Sequence, residues 1–175
     1  MNYINDVAEV ASNWWSWWVN NAEKISRYNT LITADYTSVN RDDLLQFKQA
    51  LKDDITQKLY SLSDGDRILL NSTYLPCAVI TNLANKYNIP LHRFPMNTVM
   101  WIYNNACTVK VGYIGITEYL YETSDYWEYQ LKQNELILNN LQNEKYADET
   151  IDFIKEEIAN NRQRINKCKN KEGLI

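Results

Sequence analysis

The sequence predicts an α+β fold: a small mixed sheet, made of a strand-helix-strand unit plus a hairpin, covered by helices and followed by a C-terminal antiparallel helical hairpin or coiled coil. Three observations carry this expectation. Only residues 66–112 read as sheet, and helical periodicity lies on both sides of them. The 175 residues include four glycines and three prolines, which favours long helices and argues against a glycine-rich nucleotide loop. Near the C-terminus Ile151, Ile158 and Ile165 recur every seventh residue, as do Ile154, Asn161 and Cys168. That is the seam of a coiled coil over about three heptads. The division expected is a core domain over residues 1–115 and a helical hairpin over 116–175.

The first helix is expected over residues 5–28. Trp14, Trp15, Trp17 and Trp18 cover roughly 160° of its circumference, and with Val7, Val10, Ala11 and Val19 they widen the apolar arc to about 200°. A helix on one core face needs little more than about 100°. The excess has two readings: a helix held in a groove between two elements, or one whose outermost indole, Trp15, faces a partner. A second helix starts near Arg41, with Asn40 as its N-cap and Asp42 and Asp43 in its positive first turn. Leu44, Phe47, Leu51, Ile55, Leu59 and Leu62 form its apolar stripe, and it ends at Asp64 and Gly65.

Within the sheet region, Arg67 to Asn71 is a short apolar run after a turn cluster, and reads as a buried strand. A helix follows Pro76 and stops at Asn88-Ile89-Pro90. Residues 91–94 read as a second strand, placed parallel to the first by a right-handed crossover. Residues 98–103 and 107–111 form a hairpin around Asn104-Asn105, a pair that tolerates positive φ. Cys107, Val109 and Val111 face one way and Thr108 and Lys110 the other, leaving one wet face. Residues 113–117 are a link. Long helices are expected over 118–143 and 148–171, with Leu120, Trp127, Leu131, Leu138 and Leu141 along one side of the first, and Asn161 setting the register of the second.

Charge is distributed unevenly. The net charge of −4 makes general affinity for nucleic acid unlikely. Residues 115–160 hold eleven acids against three bases, and residues 161–175 hold five bases against one acid. The basic run of Arg162, Arg164, Lys167, Lys169 and Lys171 lies near a helix C-terminus, where cations are favoured.

Catalytic and metal motifs are not evident. The single histidine, His92, has no G-x-S-x-G elbow to serve. Cys77, His92 and Cys107 lack zinc-site spacing. Adjacent acids such as Asp42-Asp43 and Asp53-Asp54 point about 100° apart on a helix and do not converge. No cofactor or metal is expected. Three widely spaced cysteines, with neither a signal peptide nor an apolar run of about 18 residues, lead to an expectation of a cytoplasmic chain with reduced thiols.

Phe94-Pro-Met-Asn-Thr-Val-Met-Trp-Ile102, followed by Cys107-Thr-Val-Lys-Val-Gly-Tyr113, resembles a pattern in small uncharacterised proteins encoded by phages and prophages. Small acidic proteins of that kind include anti-CRISPR inhibitors, which this chain resembles in size and in lacking catalytic motifs. The resemblance implies a non-enzymatic inhibitor that binds a protein, such as a Cas nuclease with a basic nucleic-acid channel. Its surface would combine Trp15 with the carboxylates of Glu118, Glu122, Asp125, Glu128, Glu135, Glu144, Asp148, Glu149, Asp152 and Glu156. The alternative is a nucleic-acid-binding accessory protein that uses the basic C-terminal run. A homodimer through the helical hairpin is a further expectation.

Overall fold

The structure, a computed structural model, describes residues 3–21, 39–63, 65–143 and 148–173. The chain forms two compact units, Met1–Tyr121 and Glu122–Ile175. The architecture is α+β with a C-terminal helical hairpin.

In the first unit, α1 (Ile4–Asn20) and α2 (Arg41–Tyr60) precede a sheet of β1 (Ile68–Ser72), β2 (Thr98–Tyr103), β3 (Ala106–Val111) and β4 (Thr117–Tyr121). A short α3 (Ala78–Lys86) and a 3-10 turn (Leu91–Arg93) lie between β1 and β2. The order is β1-β2-β3-β4, and each neighbouring pair is antiparallel. The sheet is therefore not mixed. Residues expected as a parallel strand at 91–94 form the 3-10 turn instead. Pro90 and Pro95 bracket that segment too closely for a ladder. The buried Arg93 also draws it inward, its Nη1 donating to the carbonyl of Val19 at 3.0 Å. The excursion through α3 returns the chain to the end of the sheet where β1 finished, and the Asn97 N–H donates to the Thr73 carbonyl at 3.0 Å. From there β2 can only run back beside β1.

The hairpin of β2 and β3 has the expected register, with Met100 opposite Val109 and Tyr103 opposite Ala106. Its two asparagines do not adopt positive φ. The left-handed asparagines are Asn88 (φ 55°) and Asn97 (φ 51°). Asn88 terminates α3 in a Schellman-type closure, where the Ile89 N–H donates to the Ala84 carbonyl at 2.8 Å.

Thr117, expected as the end of a link, and residues 118–121, expected as the start of a long helix, form β4, which pairs with β3 through a register shift at Cys107/Thr108. Thr117, Tyr119 and Tyr121 suit a strand, and Leu120 and Tyr121 pack against the core. The helix begins later, at Ser124, where Thr123 Oγ1 accepts from the Tyr126 N–H. The break between units thus falls at Tyr121 rather than after residue 115.

The core lies between α1, α2 and one face of the sheet. Val7, Ala11, Trp15 and Val19 of α1 meet Phe47, Leu51, Ile55 and Leu59 of α2 and Leu70, Met100, Ile102 and Val109 of the sheet. The helical stripe expected on α2 is the buried one, and Asn40 Oδ1 accepts from the Asp42 N–H at 2.7 Å as its cap. Helix α1 is described to Asn21; the expected continuation over residues 22–28 lies outside the described residues.

In the second unit α4 (Ser124–Asn143) and α5 (Asp148–Glu172) pack on one another. Glu135 meets Arg162, Glu128 meets Lys169 and Ser124 meets Glu172. Positions rise on one helix as they fall on the other, so the helices are antiparallel. The isoleucine seam faces inward: Ile158, Asn161, Ile165 and Cys168 are buried. Helix α4 packs over this part of the seam, while Ile151 and Ile154 nearer the start of α5 are half-buried.

Glu9 links α1 to α2, with Lys48 and Lys52 each at 2.8 Å. Hydrogen bonds from Lys48 and then Lys52 hold its carboxyl down to about 2. A depressed carboxyl stabilises the fold above its unfolded value of 4.5, and that contribution disappears as pH falls towards 2. The side chain is 38% exposed, so solvent limits the contribution to about 1 kcal/mol. Glu9→Gln is expected to lower unfolding stability by up to that amount at pH 7, with the gap between variant and parent closing near pH 2, as followed by urea titration at several pH values.

Candidate protein-binding surfaces

The tryptophan cluster divides between core and surface. Trp15 is wholly buried, against Phe94 at 6.2 Å between ring centroids and edge-on to Trp14 at 5.1 Å. It is the centre of the buried arc, not its periphery, because both α2 and the sheet pack on α1 and the line Val7, Ala11, Trp15 bisects them. The expectation that Trp15 meets a partner is therefore wrong. Trp17, about 200° round the helix from Trp15, is the most exposed of the four indoles, at 44%, and Trp14 is half-buried. With Trp14, Leu44, Leu45 and Leu120, Trp17 lines an open apolar groove of about 590 Å³.

The acidic residues separate into two sets. Glu122 is held by Arg164 at 3.2 Å and accepts from Trp127 Nε1 at 3.1 Å, while the Arg164 guanidinium stacks on the Trp127 ring at 4.5 Å. Glu128 is bound by Lys169 at 2.7 Å, which lowers its carboxyl and raises the lysine. Glu135 is bound by Arg162 at 3.2 Å. Three residues of the basic C-terminal run thus neutralise Glu122, Glu128 and Glu135 from across the hairpin. Glu118 belongs to β4 in the other unit, and Glu144 lies outside the described residues. Asp125 is exposed at the start of α4.

The remaining set occupies the first three turns of α5. Asp148, Glu149 and Glu156 are exposed and form no ion pair with a described residue, and Asp152 has only its helical neighbour Lys155, at 2.9 Å. In their midst Phe153 is 60% exposed. Glu149 and Glu157 lie one turn before and after it, and Glu156 lies three residues on. The ring rides on the flank of α5 away from the isoleucine seam. Sequence periodicity alone could have marked Phe153, since it falls between the seam positions Ile151 and Ile154 and belongs to neither repeat.

A second surface occurs at one end of the sheet, and the sequence reading missed it. The turn after β1, the strand of chain entering β2 and the β3–β4 loop meet there, joined by Asn97 N–H to Thr73 carbonyl and by Gly112 N–H to Asn97 carbonyl, at 3.0 and 2.9 Å. Tyr74, Leu75, Tyr113, Ile114 and Ile116 project from it, 66% to 99% exposed. The signal that could have found it is the pattern Tyr113-Ile-Gly-Ile116, where apolar residues occupy a link that should be polar. Between the loops is a cleft of about 330 Å³, lined by Thr73, Asn97, Thr98, Trp101, Lys110 and Tyr113. The Asn97 Oδ1 atom is buried without a hydrogen-bond partner.

Among the described residues no group of three His, Cys, Asp or Glu side chains could hold a metal ion. His92 is half-buried in the 3-10 turn, its Nε2 without a hydrogen-bond partner. Burial pushes the Cys107 thiol up to about 12, which keeps it protonated and poorly nucleophilic. No described helix is long and apolar enough to cross a membrane. No protein-family model matches the chain, and no curated protein matches its sequence.

Two glycines shape the β3–β4 loop. Gly112 has φ +81°, and a Cβ on Gly115 would stand 1.9 Å from the Val111 carbonyl oxygen. Gly115→Ala therefore has to displace backbone, and is expected to cost roughly 1–3 kcal/mol. Thermal unfolding would show a lowered midpoint, and amide exchange would show β3 and β4 losing protection before α2 does.

Proposed function

We propose that the protein acts without catalysis, by binding another protein and blocking it, through the first half of α5. The observation that carries this reading is Phe153: a large apolar ring mostly in water, with Glu149, Glu156 and Glu157 around it forming no ion pair with a described residue. An exposed aromatic is the kind of residue that anchors an interface, provided a pocket receives it. Surrounding acids select a pocket with a basic rim, and long-range attraction brings the two together. A basic nucleic-acid channel of an effector nuclease, such as a Cas protein, has that chemistry. In this reading the protein is an inhibitor of the anti-CRISPR kind, and carboxylates of α5 stand where phosphates would.

The alternative, direct binding of nucleic acid by the basic run, is disfavoured by one observation. Arg162, Arg164 and Lys169 already form ion pairs with Glu135, Glu122 and Glu128. Phosphate binding would have to break these pairs and leave the acids beside the ligand.

Phe153→Ala is expected to weaken binding to a Cas effector at least tenfold, the scale of a single buried anchor. Glu149→Lys with Glu156→Lys should slow association most at low salt, while dissociation changes less. Binding kinetics on immobilised effector, in low and physiological salt, separate the two effects. Unchanged affinity in both variants removes α5 as the binding surface.

A further inference from the structure

We infer that the exposed end of the sheet is the docking face for a second copy of this chain. The three loops that build it, residues 73–75, 95–97 and 112–116, contain no charged residue, although 23% of the chain is Asp, Glu, Lys or Arg. Tyr74, Leu75, Tyr113, Ile114 and Ile116 project from it largely into water. An apolar patch of this extent is a contact surface on most proteins.

Its chemistry narrows the occupant. A face without charge demands a partner face without charge, because an unpaired charge buried against it is costly. A lipid surface is the less suitable occupant, since an acidic chain of net charge −4 with one lysine at the cleft lacks the cations that hold proteins to membranes. At the three loops a second copy meets the condition, because those residues carry no charge, and the charge at the face is confined to Lys110 in the cleft lining. Two-fold packing also needs a projection and a hollow side by side. Ile114, 99% exposed at the loop tip, is the projection, and the 330 Å³ cleft beside it is the hollow.

The area agrees. The two tyrosines can bury about 150 Å² each and the three aliphatic side chains about 100 Å² each. Together they reach the lower end of the roughly 600–1,000 Å² per partner of a standard interface. The loop is also fixed before contact. Gly112 holds φ +81°, Gly115 lies against the Val111 carbonyl, and both shapes suit glycine alone. Tyr113 and Ile114 are therefore presented with little ordering left to do. This inference is independent of α5, since the loops and cleft belong to the Met1–Tyr121 unit.

The test is the mass in solution of the full chain, by light scattering and sedimentation equilibrium up to about 100 µM, well above the micromolar Kd that an interface of this area reaches at its weakest. The parent is expected to be a dimer, and to stay so in high salt. Ile114→Asp and, separately, Leu75→Asp are expected to be monomers with unchanged circular dichroism, as both side chains stand in solvent. A parent that is monomeric at that concentration overturns the inference, and flotation of that monomer with neutral phosphatidylcholine vesicles would assign the face to lipid instead. A dimer that survives both substitutions also overturns it, by placing the interface elsewhere.

Discussion

The burial of Trp15 is the contact on which the first unit depends. One indole fills the space between α1, α2 and the sheet, with Phe94 against its ring and Phe47 against Phe94 at 5.6 Å. Much follows from it. The backbone of α1 is fixed in rotation, so Trp17 must face outward and Glu9 must face the lysines of α2. The segment carrying Phe94 must lie over the helices, which forbids it from joining the sheet. The sheet then closes as an antiparallel meander with its apolar face on α1 and α2, and the β1–β2 connection and the β3–β4 loop meet at the end opposite the β2–β3 turn.

The helical hairpin obeys a different constraint. Its seam is narrow, and its charge is arranged so that each helix offsets the other. Arg164 illustrates this, since one guanidinium both neutralises Glu122 and covers the face of Trp127. Charge offset of this kind is strongest toward the C-terminal end of α5. It leaves the first turns of the same helix negative, as suits a helix N-terminus. The binding face proposed there is the exposed flank of these turns, whose other flank carries the buried seam residue Ile158.

Long periodic elements were readable from the residues. The stripe of α2, its asparagine cap, the heptads of α5 and the β2–β3 hairpin all follow from local patterns that tertiary packing reinforces. The failures share one physical origin. Residues 91–94 and 117–121 are short, apolar and compatible with two conformations, and only contacts distant in sequence decide between them. Arg93 reaching Val19 turns the first into a 3-10 turn, and the ladder with β3 makes the second a strand. Trp15 was misplaced because a helix wheel gives angles but not the number of neighbours that press on it. Acids such as Glu128 looked available because their counter-ions stand 27 to 42 residues away and become partners only when the hairpin closes.

Asn161 carries a last consequence. It is buried in the middle of the isoleucine seam, and its Nδ2 has no hydrogen-bond partner. An orphaned donor of that sort costs about 1–3 kcal/mol, so the hairpin forgoes tightness at that layer. The alignment is held instead by the pairs of Glu128 with Lys169 and Glu135 with Arg162, which a one-turn slide of either helix would pull apart.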